Sequence, residues 1–419
     1  MERRRTSRYE RLSGALRSTR RVSSADGSRN VRAISAVNIL SGTYNNLVQA
    51  ILQPFVIRVT GSVAALSLLQ ALGNRLGGGV VGALAQLGGG HLSDRWGRKP
   101  MILFGSTFFL VSLTLFLGAA LTEIGYLLVP AFLFLGLGLA AAPATQSLVA
   151  ESVEVPERAV AYSRVMFFFL LPSAAFAFVG GVLTDLFDYP LIFGLSLALE
   201  AASLSIYALI LRETLRDRNP TPWSLRQTLR LEDPRLRAIL LVTTADLFAW
   251  TTTILIIYGM AVRQFGFSNA DLGLIVGVWA LVFAGAVLPV GKLVQRLGTR
   301  RMIFFSESLG IPVFLGWLVA STPIGFALIS IPNGLAAATW VPAFQTLVAN
   351  SVGDRARAGA IGKLNAIRGL LSFPAPFVGG FLFEQYGYAA PLLASFGGVL
   401  ITMGLVLRFL PEDPSRSTI

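Results

Sequence analysis

The sequence predicts an all-α polytopic membrane protein: two pseudo-symmetric six-helix bundles, twelve transmembrane helices in all, around a central cavity. Three observations predict it. Only 14% of the 419 residues are charged and 54% are hydrophobic, against about 25% charged in an average soluble protein. Apolar runs of roughly 20 residues, enough to cross the hydrocarbon core, recur along the chain between short polar joints. Finally, the chain repeats itself at a nearly constant offset. The runs are long and unbroken, which favours helices over barrel strands, whose apolar residues alternate.

The expected spans are 33–57, 65–89, 101–121, 126–150, 161–184, 189–211, 236–262, 272–291, 302–321, 323–349, 358–383 and 389–409. Residues 1–32 form a basic cytoplasmic tail with ten arginines, from Arg3 to Arg32. The tail lacks the apolar region and cleavage site of a signal peptide. Tyr9, Leu12 and Leu16 stand at near-helical spacing. Two readings of the tail stay open: a helix lying on anionic lipid, or a disordered segment that only sets topology.

The first span is unusually polar, with Asn38, Gly42, Asn45, Gln49 and Gln53 recurring on one side. The second holds Arg75 and the glycines Gly73, Gly77, Gly78, Gly79 and Gly82, which read as a close helix-packing surface. The third holds no charge, and the fourth carries Gln146 and ends at Glu151. Arg164 lies early in the fifth, and Glu200 sits mid-way along the sixth. A charged linker over 212–235 contains Pro220, Pro222 and Pro234, as an exposed connector would. The N-terminal bundle is thus 33–211 and the C-terminal bundle 236–409, followed by a cytoplasmic tail, 410–419. In the second bundle, Asp246 lies in span seven, Glu307 in span nine, Asn333, Trp340 and Gln345 in span ten, and Arg368 in span eleven.

Lys and Arg set the orientation. They crowd the N-terminal tail and the 212–235 linker, whereas the opposite joints hold only Arg58 and Arg263 as bases, with Glu123, Asp185, Asp188 and Glu384. Both termini therefore face the cytoplasm of a cell whose plasma membrane holds the protein. The same bias accounts for the net charge of +13, so no nucleic-acid partner is implied. There is no cysteine and one histidine, His91, which excludes disulfides and thiolate metal sites and leaves no His-based metal site or cofactor to expect.

The internal repeat is the strongest organising signal. QSLVAESV at 146–153 recurs as QTLVANSV at 345–352, and FVGG at 178–181 recurs at 377–380. LRET at 211–214 falls opposite LPED at 410–413, and GHLSDRWGRK at 90–99 opposite GKLVQRLGTR at 291–300. A duplicated bundle implies a cavity between the halves near the bilayer midplane, exposed to alternate sides as one half rocks against the other.

The segment Gly90-His91-Leu92-Ser93-Asp94-Arg95-Trp96-Gly97-Arg98-Lys99 resembles the signature of the major facilitator superfamily, Gly-x-Leu-Ala-Asp-Arg-x-Gly-Arg-Lys, with Ser93 in place of Ala. The resemblance implies a monomeric transporter in which this segment gates the cytoplasmic side. Gly90 and Gly97 permit a tight turn and close helix approach. Asp94 can accept hydrogen bonds from a helix N-terminus. By the resemblance that helix is span eleven, beginning near Ala358. Arg98 can bridge Asp94 to Glu151, with Arg95 and Lys99 alongside; the plainer reading is that these bases only enforce topology. In the second copy Gln295 and Asn350 replace both acids while Arg296, Arg300, Arg301 and Arg355 remain, so a weaker polar contact is expected there.

Charged groups in the hydrocarbon core are costly and usually face a cavity. The resemblance puts spans one and seven on the cavity wall, and Thr243, Asp246, Trp250 and Thr253 share one face of span seven. Asp246 is the first choice for a proton carrier and Glu200 the second; a structural ion pair is the alternative for Asp246. Arg75 and Arg368 either hold an anionic group or neutralise an acid. Glu307 and Arg164 are expected to be shallower, snorkelling or pairing locally. Asn38, Asn45, Gln49 and Gln53 are candidate solute ligands, since amides bind neutral polar groups without ion pairing. Gln146, Trp250, Asn333 and Trp340 complete the set.

The expected function is secondary active transport of a small organic solute, coupled to protons. General frequency in the superfamily leans towards efflux. The drug–proton exporter signature Gly-Pro-x-x-Gly-Gly is absent from span five, which reads FAFVGG at 176–181; APFVGG at 375–380 is nearer but lies in the other half. The alternatives are a proton-coupled importer of a sugar or carboxylate and, in a different class, a membrane sensor or scaffold that moves nothing. An intramembrane enzyme is not expected, because only carboxylates are present to do chemistry.

Overall fold

The computed structural model describes residues 24–74, 79–154, 157–215, 233–351 and 357–410. Twelve helical rods run through them: α1 (Ser24–Thr60), α2 (Val63–Leu72 and Gly79–Trp96), α3 (Arg98–Thr122), α4 (Gly125–Ser152), α5 (Arg158–Leu170 and Ser173–Phe187) and α6 (Tyr189–Ile210). The second half contains α7 (Pro234–Ile254 and Ile257–Phe265), α8 (Asn269–Leu297), α9 (Thr299–Val319), α10 (Pro323–Ser351), α11 (Arg357–Ser372 and Ala375–Tyr386) and α12 (Ala389–Phe409). Ten of the twelve carry an apolar window long enough to cross a membrane. The other two are α1, whose amides lower its hydropathy, and α2, whose described segments Val63–Leu72 and Gly79–Trp96 do not meet that length and apolarity. This is a multi-pass membrane protein.

Helix α1 starts at Ser24 rather than 33. Asn30 is buried and tied to Ser152 of α4 and to the backbone of Arg212, while Val31 and Ile34 join a core cluster with Met101 and Leu148. Residues 24–32 therefore belong to the bundle. Pro172 and Pro374 stand at the breaks of α5 and α11, where the missing N–H and the ring interrupt the ladder.

The repeated FVGG has a packing cause. A Cβ on Gly181 would lie 2.1 Å from the Asn269 carbonyl oxygen of α8, and one on Gly380 would lie 2.1 Å from the Ser67 hydroxyl of α2. In both copies the second glycine lets α5 or α11 touch the opposite half without an intervening side chain.

Contacts between the halves concentrate at the end that carries Arg58. There the second segment of α5 packs on α8, the second segment of α11 on the first of α2, and the second segment of α7 on α1. Helix N-termini are capped across the boundary. Asp185 accepts from the backbone N–H of Asn269 and Ala270 at 3.1 and 2.7 Å, starting α8. Glu384 accepts from those of Val63 and Ala64 at 3.0 and 3.3 Å, starting α2. The repeat offset of 199 relates these two acids. Each places negative charge where the helix dipole and unpaired N–H groups favour it.

On the same end Arg58 joins Asp188 and Glu123. Burial by itself would raise the Asp188 carboxyl, but the hydrogen bonds from Arg58 and the Tyr189 backbone N–H, with the Arg58 charge, together outweigh it and hold the group below its ordinary range. At the Arg98 end the halves part: the first segment of α5 makes no extensive contact with α8, and α2 with α11 is the main pair that continues.

Candidate functional site

Two polar constellations stand out. The first surrounds Arg98, whose side chain is only 10% exposed. Gly97 adopts φ 118°, a region that L side chains rarely enter, and the turn it allows brings the chain from α2 straight into α3. Arg98 Nη1 then meets Asp94 Oδ1 at 2.5 Å and the Ser93 hydroxyl at 2.6 Å. Its Nε and Nη2 donate to Glu151 Oε1 at 3.2 and 3.1 Å. The expected bridge from Asp94 to Glu151 is present.

The segment after α6 also joins this constellation. Glu213 accepts from the backbone N–H of Arg98 and Lys99 at 2.9 and 3.0 Å, capping α3, and Thr214 donates to Glu151 Oε2. Sequence reading passed over Glu213, although it sits in the repeated LRET. Lys99 donates to the Ala208 carbonyl, and Arg95 is exposed. Close helix approach falls to Gly89, against Ala140, and not to Gly90 as expected. Every partner named here lies in the first half. The expected contact of Asp94 with the start of α11 involves 352–356 and neighbouring side chains, outside the described residues. In the second half Arg300 donates to the Leu407 carbonyl, the repeat counterpart of Lys99 on Ala208.

The second constellation is buried in the C-terminal half. Asp246 of α7 is 7% exposed and Glu307 of α9 is 0% exposed. The two carboxyls are electrostatic neighbours, and Arg368 of α11 is the cation that faces Asp246. The packing of α7 on α9 explains the meeting: a Cβ on Gly310 would lie 3.2 Å from the Trp250 ring, and Trp250 packs on Phe314 with centroids 5.0 Å apart. Asp246 and Glu307 lie one turn before those contacts on parallel helices. Glu307 faces Asp246 and the Trp250 indole, yet neither of its oxygens has a hydrogen-bond partner among the described residues. The Arg368 guanidinium lies over the rings of Trp340 and Phe344 at 4.5 and 4.9 Å, and its buried Nε and Nη1 also lack partners there. Leaving buried polar atoms unpaired is costly, so this concentration of them marks the spot.

Glu307 thus corrects the expectation of a shallow, snorkelling acid. The helix begins at Thr299, not 302, so Glu307 lies about 12 Å along it at 1.5 Å per residue. Arg164, by contrast, is exposed. Glu200 is buried too, but it accepts a hydrogen bond from Ser106 between α6 and α3, apart from the Asp246 cluster. Arg75 lies outside the described residues.

The amides of α1 divide. Asn38 donates to the Val165 carbonyl of α5 at 2.8 Å, and Asn45 to Ser41 within its own helix at 2.7 Å. Gln53 accepts from the N–H groups of Tyr258 and Gly259, both at 3.0 Å, at the break in α7. It therefore seals the halves together. Gln49, one turn earlier, is exposed. Gln146 is exposed and Asn333 buried, and neither joins the cluster of Asp246, Trp250, Glu307, Trp340 and Arg368. Among the described residues no group of acids and histidines has the makings of a metal site.

A family model described as Major Facilitator Superfamily matches the chain twice, over residues 34–244 and 238–418. Multidrug resistance protein MdtG of Proteus mirabilis is 27% identical over 313 residues, covering 72% of this chain and 76% of that protein. Methyl viologen resistance protein SmvA of Salmonella typhimurium is 28% identical over 152 residues, 36% of this chain; the match spans 31% of SmvA. Among solved structures, the nucleoside transporter NupG aligns with TM-score 0.74 at 12% identity, over 91% of this chain and 100% of that one. The human organic anion transporter MFSD10 (TETRAN) aligns with TM-score 0.66 at 18% identity, over 91% and 99%. At such identities the structures report the fold.

Proposed function

From a chain that belongs to the major facilitator superfamily, and is therefore a transporter and not an enzyme, we propose a proton-coupled exporter of small, moderately polar organic compounds. It works by alternating access from the plasma membrane with both termini in the cytoplasm, as a monomer built from bundles 24–211 and 234–409. The carrying observation is the buried Asp246 beside Glu307 and Arg368, whose own buried polar atoms lack partners among the described residues. A carboxyl held at mid-membrane next to one cation can change protonation state without leaving an isolated charge. Likeness to MdtG over three quarters of its length supports the outward direction.

Solute enters from the Arg98 end, where the halves part, and meets Gln49, Trp250 and the Arg368–Trp340 stack. Protonation of Asp246 then returns the empty carrier. The Asp94–Arg98–Glu151 constellation holds the ends of α2, α3 and α4 as one rigid gate.

The test is proteoliposomes of purified protein carrying a pH gradient and offered a panel of cationic, neutral and anionic compounds, methyl viologen included. Gradient-driven accumulation of one chemical class is expected, lost in Asp246→Asn. Normal accumulation by that variant sinks the coupling role. Thermal-shift binding on the same panel selects the solute, since a ligand at about 100 times its Kd stabilises by roughly 2.7 kcal/mol.

A further inference from the structure

We propose that Glu307 is the second half of the coupling site, and that Asp246 and Glu307 hold a single proton between them. This rests on the reading of Asp246 as the proton carrier and adds a residue to it. Nothing in the repeat or the signature segment points to α9, whose first-half counterpart position is occupied by Ser106.

The argument is a charge count in a confined volume. Five helices pack around the cluster: α7 supplies Asp246, α9 supplies Glu307 and α11 supplies Arg368, whereas α10 and α12 contribute the uncharged Trp340 and Val399. Among the described residues Arg368 is the cation that faces Asp246, and Glu307 faces Asp246 and Trp250. With both acids ionised the cluster carries one net negative charge, and like charges this close disfavour joint ionisation. With one proton between them the cluster is neutral. Among the described residues Glu307 has no backbone N–H or hydroxyl partner, only the Trp250 indole beside it, which separates it from Glu200 and its Ser106 donor.

The two acids lie on parallel helices, each about one turn before the Trp250–Gly310 contact. The proton can therefore pass between carboxyl oxygens by breaking one O–H bond and forming another, with no other group changing charge. Each pair of this kind titrates as a unit rather than as two residues. Removing either carboxyl leaves one acid facing one guanidinium, a neutral arrangement that needs no proton at all.

That last point makes the proposal testable without a known solute. Infrared difference spectra of the detergent-purified full-length chain at neutral pH report protonated carboxyls through their C=O stretch. Glu307→Gln and Asp246→Asn are each expected to lose the band of one protonated carboxyl, and Arg368→Gln to gain one. Retention of the band in Glu307→Gln, with loss in Asp246→Asn, overturns the shared proton and leaves Asp246 as the sole carrier. Retention in both overturns the coupling role of Asp246 as well. Glu307→Asp keeps a carboxyl and should keep the band. Should Glu307→Gln fail to fold, the wild-type chain labelled with carbon-13 at aspartate carboxyls decides the matter: part of the band shifts if the proton is shared, and all of it shifts if Asp246 holds it alone.

Discussion

Ser106 and Glu307 occupy the same place in the two halves, and their surroundings show how one bundle became an anchor and the other a candidate site. In the first half the Ser106 hydroxyl donates to Glu200 of α6, so the buried acid has a neutral partner between two peripheral helices. In the second half the position opposite Glu200 by the 199 offset is Val399, fully buried, and the acid has crossed to α9. There it meets Asp246 instead of a hydroxyl. A carboxyl with a donor of its own is satisfied and static. One that faces another carboxyl can be relieved by taking up a proton.

The largest expected effect tests that contrast directly. Asp246→Asn should lower gradient-driven transport by about 100-fold or more, the usual reach of a proton-transferring group. Glu200→Gln should transport normally. It should still melt earlier, because a buried hydrogen bond to a charged group contributes about 1.5–3 kcal/mol. Equal transport defects in both variants would erase the distinction between the halves.

The ends of the halves differ in the same way. Arg98 is nearly buried among Asp94, Glu151 and Ser93, whereas Arg300 is exposed to a greater degree and donates to a carbonyl. Arg98→Ala leaves two acids without their cation, but their side chains are 55% and 32% exposed and water screens them, so it should cost about 1–2 kcal/mol. Arg300→Ala should cost about 0.5 kcal/mol or less. Thermal unfolding of the detergent-solubilised protein reads both, and similar shifts would count against the asymmetry.

At the closed end the halves are alike, and that likeness can be probed too. Asp185→Asn and Glu384→Gln each weaken a helix cap across the boundary, worth about 1 kcal/mol. Each should raise labelling of a cysteine placed at buried Ile57, which packs against Gly259 of the other half, by a small, similar amount, and the double variant should add the two. Unequal effects would mean that one latch dominates.

The smallest effect belongs to Asp188, half-exposed beside Arg58. Its carboxyl is held below the ordinary range, so the pair stabilises the fold above that range and the contribution fades as pH falls through the folded-state value. Asp188→Asn should therefore cost at most about 1 kcal/mol at neutral pH, with wild type and variant converging only once the pH has fallen through the lowered folded-state value. A gap that widened in acid would reverse the sign.

Much of this was legible in the residues. Hydropathy located twelve spans because a lipid-facing helix must be apolar over its whole length, and the helix ends fall within a few residues of most expected bounds. Spacing around Gly97 foretold the Arg98 bridge, since a tight turn followed by a basic residue can reach only what lies at the ends of neighbouring helices. The stripe on α1 was legible as a stripe, but not its division of labour. Gln53 closes the halves, Asn38 ties α1 to α5, and Gln49 is left bare; the sequence alone offers identical amides.

By itself, then, the sequence determined the membrane class and the duplication, through composition and periodicity along one chain, and resemblance to the superfamily added the signature segment and the candidacy of Asp246. Tertiary structure alone decided that Glu307 faces Asp246, that Glu200 does not, and that Glu213 caps α3. The reason is rotational: a span's apolar content fixes its depth, but which way each side chain points depends on how neighbouring helices pack, and here a glycine at 310 beneath Trp250 sets the register that brings two acids together.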